Sequence, residues 1–259
     1  MEHVAYEKQG QIGIVTLSRP EKLNAFNARM QEEIWEVMHQ IENDDDIRAG
    51  VVTGSGRAFC TGADLIQLER PGLVEEHRGA FWKELSFTQH DQGWEMSKPL
   101  VAAIHGYAVA GGLELALWCD IRVCAEDTKF GCPEVKWNIL HGYGASRLTT
   151  MIPMSDAMLL LLTGKFIDSA EAHRIGLVSR VLPDHAAAIA EAKQIALDIA
   201  KNGPQAIRFT KQLAQRGRYP IADAMRLYQE YQRICLAMED AKEGNAAFAE
   251  RRDPVYRGA

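Results

Sequence analysis

The sequence predicts an α/β fold in which strands and helices alternate over the first two-thirds of the chain and helices fill the remainder. Three observations predict it. Short apolar stretches such as Val51–Val52–Thr53 and Leu100–Val101–Ala102–Ala103–Ile104 run into glycine-punctuated turns. A helix start follows each turn, the order of a parallel βαβ unit. Beyond Arg147 the apolar spacing turns helical, broken by one short strand.

Val4 to about Lys8, a turn at Gly10 and Ile12–Leu17 read as a hairpin, which Arg19–Pro20 ends because proline cannot donate to a ladder. After the loop Glu21–Phe26, Asn27 caps a helix to about Glu42, with Met30, Ile34, Val37, Met38 and Ile41 on one face. The acidic run Asn43–Asp46 opposes the dipole at that helix end, so fraying is expected there. Arg48–Thr53 is the next strand, leading through Gly54–Ser55–Gly56 to a short helix begun by Phe59–Leu65. Gly72–Met96 reads as a polar, exposed helix with scattered aromatics (Phe81, Trp82, Phe87, Trp94), a segment suited to shaping a pocket.

Leu100–Ile104 is a buried strand, and Gly111–Gly112 open a short apolar helix with Glu114 in its middle. Ile121–Ala125 is the next strand, and the loop beyond it delivers Glu134 behind Pro133. Helices then cover Asp156–Leu162 up to Gly164, a stretch capped by Ser169 and stopped at Gly176, and His185–Lys201 up to Asn202–Gly203–Pro204. Val178–Leu182 is a short strand between them. Further helices are expected over Pro204–Gly217, Ile221–Met238 and Gly244–Arg252.

At 259 residues, 47% hydrophobic and 25% charged, the chain is large enough for a substantial core. A net charge of −6 and a pI near 5.8 argue against a nucleic-acid partner held by phosphate contacts, although Arg251, Arg252 and Arg257 cluster locally. The odd set Cys60, Cys119, Cys124, Cys132 and Cys235 has no CxxC spacing. It reads as reduced thiols of a cytoplasmic protein, not as a disulfide framework or zinc site. No basic segment followed by an apolar run opens the sequence, and no apolar run approaches the ~20 residues of a membrane span.

The chemistry gathers around Leu113–Glu114–Leu115–Ala116–Leu117. A carboxylate in so apolar a run calls for a partner or a purpose. Gly111 and Gly112 before it leave unpaired N–H groups at a helix start, where the dipole favours negative charge. An anion hole of backbone amides beside an acid or base is the raw material of enolate chemistry. Each feature alone has a bland reading: Glu114 paired with an arginine, Glu134 favoured by a first-turn dipole, a glycine pair making only a tight turn. His105 and His141 are candidates for catalysis, but histidines at strand ends and in loops are more often hydrogen-bonded bystanders. No P-loop, HExxH, GxSxG or full dinucleotide fingerprint is present.

Together, SRPEKLNAFN, AFCTGADL, IHGYAVAGGLELALWCDIRVC, FGCPEVKWN and EDAKEGNAAFAERRDPVYRG make the sequence resemble the enoyl-CoA hydratase/isomerase (crotonase) superfamily over nearly its whole length. The resemblance implies a crotonase (ClpP/crotonase-like) fold: a core of repeated ββα units over residues 1–195 and a helical trimerisation region over 196–259. It implies trimers that often pair into hexamers, acyl-CoA thioester substrates, and no metal or redox cofactor, coenzyme A entering only as part of the substrate. By position, the backbone N–H groups of Ala63 and Gly111 would form the oxyanion hole, and Glu114 and Glu134 the acid pair. Lys22, Leu23, Ala25, Ala63, Asp64, Leu65 and Gly111 would line the CoA and substrate site.

Because isomerases of the superfamily commonly keep only the acid matching Glu134, both glutamates favour hydration of a 2-enoyl-CoA. The alternatives are an isomerase, an acyl-CoA hydrolase, a dehydratase of a polar acyl-CoA such as carnitinyl-CoA, or an RNA-binding or scaffolding protein on the same fold. The sequence departs from the family at Asn138 and His141, where relatives usually have glycine and proline. With Tyr143 these residues would line the acyl end of the pocket and suit a polar substituent or ring.

Overall fold

The computed structural model describes residues 1–64, 96–216, 233, 236, 237, 239–252 and 254. The expected helices over Gly72–Met96 and Ile221–Met238 fall almost wholly outside these residues, as do Leu65, Cys235 and Arg257. The hairpin is formed by β1 (Val4–Gln9) and β2 (Ile12–Leu17), followed by α1 (Ala28–Asn43), β3 (Ala49–Gly54), β4 (Leu100–Ile104) and β5 (Tyr107–Val109). Next come α2 (Gly111–Trp118), β6 (Ile121–Ala125), β7 (Lys129–Gly131), α3 (Gly142–Met151) and α4 (Met154–Thr163). The chain continues through β8 (Phe166–Asp168), α5 (Ser169–Arg174), β9 (Arg180–Leu182), α6 (His185–Ala200), α7 (Pro204–Arg216) and α8 (Glu239–Glu250).

A six-stranded sheet runs in the order β1-β2-β3-β4-β6-β9; only the β1–β2 pair is antiparallel. Side chains alternate across it, as strand geometry requires. Ile12, Ile14, Val51, Val101, Ala103 and Val123 face α6, which answers with Ala192, Ala196 and Ala200, part of a buried alanine stripe that begins at Ala188 with four-residue spacing. Small residues on that stripe let the helix lie close to the sheet. The opposite face carries Val15, Leu17, Val52, Leu100, Ala102, Ile104 and Cys124 into the main core with α1 and α2. A second, three-stranded sheet, β5-β7-β8, stands over this core.

Asn27 caps α1 as expected, its side chain accepting from Met30 N–H at 2.8 Å. The fraying expected at the other end of α1 is corrected by a distant residue. Lys98, fully buried, donates Nζ to the carbonyls of Ile41 (2.7 Å) and Asp44 (2.6 Å), a cation at the negative helix pole. The helix expected to begin in Phe59–Leu65 does not form through Asp64. Those residues are irregular, with isolated bridges from Cys60 to Ala108 and from Ala63 to Phe26. Asp168, not Ser169, caps α5 by accepting from Glu171 N–H at 2.9 Å, and the Ser169 hydroxyl instead donates to Glu126 carbonyl. The last helix already includes Glu239, five residues before the expected start at Gly244.

The expected division after residue 195 falls inside α6, whose Ala196 and Ala200 still pack on the sheet. Further on, α8 packs against the turn that carries Glu134, where Phe248 meets Trp137 edge-to-face at 5.1 Å. Among the described residues no helix is long and apolar enough to cross a membrane.

Candidate active site

Two backbone segments meet at the amino end of α2. Gly62 has φ +87°, and a Cβ on it would stand 2.7 Å from Ala110 Cβ and 2.8 Å from Gly111 N. Only glycine permits both the conformation and the approach. A Cβ on Gly112 would collide with the Cys60 carbonyl, so the second glycine is needed for the same contact. Ala110 holds φ 53°, ψ −134°, a conformation L residues rarely adopt, and so turns the chain sharply into the helix. The outcome concerns two amides. The Phe26–Ala63 bridge uses Gly62 carbonyl and Asp64 N–H, leaving Ala63 N–H out of the ladder, while Gly111 N–H is an unpaired first-turn group of α2. Neither amide donates to any group among the described residues.

Glu114 follows Gly111 by three residues, one helical turn along the same face, and the tilt of helical side chains carries its carboxylate back towards the amino end. It is only 6% exposed. Its Oε1 accepts from Gly144 N–H at 3.0 Å, so the amino end of α3 is aimed at the charge. Among the described residues no arginine pairs with it: Arg122 donates to the carbonyls of Leu177, Ala116 and Cys119. Burial raises the Glu114 carboxyl above its ordinary range and the charge of Glu134 raises it further. His141 and the N–H groups of Gly144 and Tyr143 pull the other way.

Glu134 sits on a 3-10 turn, Pro133–Trp137, closed by Asn138 in the left-handed conformation (φ 54°). That reversal brings His141 back over the turn. His141 Nδ1 is hydrogen-bonded to Glu134 Oε1 and lies 4.0 Å from Glu114 Oε1. The two acids, 20 positions apart in sequence, therefore converge on one imidazole nitrogen. Burial alone would lower the His141 pKa, but the Glu134 carboxylate and the Cys132 thiol together lift it well above the ordinary histidine value. Glu134 Oε2, Asn138 Nδ2 and His141 Nε2 are buried without a hydrogen-bond partner among the described residues.

The loop expected to line the CoA site is rigid for a reason the sequence did not reveal. Lys22 ends a 3-10 turn, and Leu23 and Asn24 are both left-handed (φ 50° and 56°). Asn24, fully buried, accepts from Arg19 N–H at 2.8 Å and donates to the carbonyls of Ser55 (2.9 Å) and Ala58 (2.7 Å). Arg19 donates to Ala25 carbonyl and pairs with Asp64 at 3.3 Å, both side chains buried. Lys22, Leu23, Ala25, Ala63 and Asp64 thus belong to one locked unit; Leu65 lies outside the described residues.

Of the acyl-end candidates, Asn138 and His141 stand beside the acids, whereas the Tyr143 ring is buried in the main core. The other candidate histidine, His105, stacks on His185 at 3.4 Å and bonds Gly56 carbonyl, with no contact to either acid. Gly144, Arg19, Asn24 and Ala110 escaped the sequence reading. The only available signal was the pair Gly142 and Gly144 directly after His141, which marks a helix start approached closely by another group.

The family model described as enoyl-CoA hydratase/isomerase matches residues 7–259. A probable enoyl-CoA hydratase of Mycobacterium bovis is 36% identical over 98% of this chain and 98% of its own. An (E)-benzylidenesuccinyl-CoA hydratase of Thauera aromatica is 38% identical over 99% of each chain. The crystal structure of a carnitinyl-CoA hydratase from Mycobacterium avium superposes with a TM-score of 0.86, at 31% identity and complete coverage of both chains. The chain therefore belongs to the enoyl-CoA hydratase/isomerase family.

Proposed function

We propose that this protein is an enoyl-CoA hydratase, adding water reversibly across the C2=C3 bond of a 2-enoyl-CoA thioester. The observation that carries the reading is the convergence of Glu114 and Glu134 on one point, a single turn of α2 from the two free amides of Ala63 and Gly111. In this reading the two amides hold the negative charge that develops on the thioester oxygen; loss of one such donor costs ~2.7–4 kcal/mol in a comparable site. Glu114, whose carboxyl is raised by burial, takes a proton from water as the oxygen adds to C3. Glu134 supplies the proton to C2 through its unbonded Oε2. Coenzyme A enters only as part of the substrate, and the step needs no metal or redox cofactor.

The unpartnered polar atoms of Glu134, Asn138 and His141 favour an acyl group bearing a polar substituent over a plain chain, since buried polar atoms are ordinarily satisfied. Exposed apolar side chains on α4 and just after it, Met154, Leu159, Leu162 and Phe166, offer a contact surface for the homotrimer or dimer of trimers that the family resemblance implies. The buried free thiols Cys60, Cys119, Cys124 and Cys132 suit the cytoplasm.

The test is a panel of acyl-CoAs, plain and polar, followed by loss of the conjugated thioester absorbance with mass spectrometry of the products. A gain of one water supports hydration. A shifted double bond, or free coenzyme A, would assign the chain to the isomerases or hydrolases instead. Equal turnover of plain chains with polar acyl groups inert would remove the substrate preference.

A further inference from the structure

We propose that His141 is a positioning residue for the acid pair: through Nδ1 it fixes which Glu134 oxygen faces the thioester and keeps the two carboxylates in unlike protonation states. This rests on the hydratase reading above and goes beyond it. Two ionised carboxylates converging in a buried site repel one another, and such a pair ordinarily resolves by sharing a proton. Here a third titrating group stands between them. His141 Nδ1 is bonded to Glu134 Oε1 and is 4.0 Å from Glu114 Oε1, so one ring nitrogen addresses both acids. With Oε1 engaged, Glu134 is left with Oε2, the buried oxygen that has no partner among the described residues.

The ring is held for the task. His141 is 5% exposed, and a Cβ on Gly144 would collide with its Nε2, so the peptide that donates to Glu114 also walls in the imidazole. Among the described residues, the titratable and charged groups around it are Glu134 and Cys132 from the segment about the 3-10 turn and Glu114 from α2; on α3, Tyr143 lies by Glu114, and Arg147 by Tyr143. With Glu114 ionised and Glu134 protonated, an imidazolium in this place brings the net charge of the cluster from −1 to 0, while its Nε2 has no partner among the described residues. Each turnover moves one water proton onto the base and one proton from the acid to C2, leaving the base one proton richer and the acid one poorer. The Nδ1 proton restores Glu134, and the imidazole then recovers the proton held by Glu114, which closes the balance without any outside reactant.

The experiment uses full-length His141→Gln, which keeps a hydrogen-bond donor but cannot titrate, alongside His141→Ala. Hydration is measured on the best substrate of the panel from pH 5 to 9, and the His141 ring is titrated by NMR in wild type, Glu134→Gln and Glu114→Gln. Expected for His141→Gln are a fall in kcat of at least ~10-fold with KM changed less than about twofold, and a carboxylate limb of the pH profile moved to higher pH. The ring in wild type is expected to titrate well above 6.5 and to fall in Glu134→Gln. Wild-type kcat and an unchanged profile in His141→Gln overturn the proposal, as does a ring titrating near 6.5 regardless of Glu134. A fall in kcat equal in both variants, with the profile unmoved, also overturns it, because that marks packing alone. Wild type inert towards the whole panel would count against the hydratase reading, and the NMR linkage would then decide this inference alone.

Discussion

Gly62 and Gly111 are in contact across the mouth of α2: a Cβ on the first would reach within 2.8 Å of the amide nitrogen of the second. Two loops far apart in sequence thereby present adjacent free N–H groups. Gly62→Ala must either strain a backbone at φ +87° or push α2 away. The strain costs ~1–3 kcal/mol of stability. Displacing one amide is expected to lower kcat by ~10²–10³-fold, the penalty of a lost oxyanion donor. Denaturant midpoints and steady-state hydration kinetics measure the two effects separately. A variant with unaltered kcat would show that these amides do not hold the reacting oxygen.

Glu114→Gln separates charge from shape. The amide oxygen can still accept the Gly144 N–H, so the fold is retained while the base is lost. Hydration is expected to fall by ~10²–10⁴-fold. Stability should move the other way. The carboxyl pKa is raised in the folded protein above its unfolded value of 4.5, so the native state binds more protons between those two values. The stability it lends is whole below pH 4.5 and is lost as pH rises through the folded value. Urea unfolding of wild type against Glu114→Gln should therefore show a difference that grows in favour of the variant as pH rises. A constant difference would mean that burial does not strain this carboxylate.

The buried Arg19–Asp64 pair fastens the loop Lys22–Ala25 to the segment that carries Ala63. Arg19→Met leaves Asp64 charged, buried and unpaired, which costs ~3–5 kcal/mol. The loop is also freed, so KM for the CoA substrate should rise more than kcat falls. The double variant Arg19→Met with Asp64→Leu is expected to recover part of the stability but not the KM. Thermal unfolding and substrate-saturation curves test both halves. Recovery of KM in the double variant would mean that the pair does not position the CoA loop.

What the sequence made legible was local. Gly111–Gly112 before an apolar helix, and a carboxylate in that helix, announce a helix start with free amides whatever lies around it. Hydrophobic spacing likewise gave the long helix α1 and the parallel strands. Contacts that depend on distant chain were not legible. The strands β5, β7 and β8 are three residues each, too short for a period of two to register. Phe59–Asp64 carries helix-start residues but is drawn into single bridges with Ala108 and Phe26, which no local pattern announces. Lys98 at the end of α1 belongs to a segment more than 50 residues on. His141 is the most instructive case. Read alone it is a loop histidine, and only the left-handed turn at Asn138 swings it onto both acids.

His105 and His185 provide a contrasting histidine pair, stacked ring on ring at 3.4 Å with neither joined to a carboxylate by a hydrogen bond. His105 is pushed down to about 4 by burial and then by the neighbouring ring, and burial lowers His185 as well. A depressed folded pKa lends stability that is present above the unfolded value of 6.5 and lost as pH falls towards 4. The loss at pH 4 is up to ~3 kcal/mol for His105. His105→Gln keeps a donor for Gly56 carbonyl but has no charge to acquire. Wild type should therefore unfold at a higher pH than His105→Gln on acidification, with the two converging above pH 7 apart from a constant packing cost. Chemical denaturation between pH 4 and 8 measures this directly, and parallel stability curves for the two proteins would show that the stacked pair accepts protons as freely folded as unfolded.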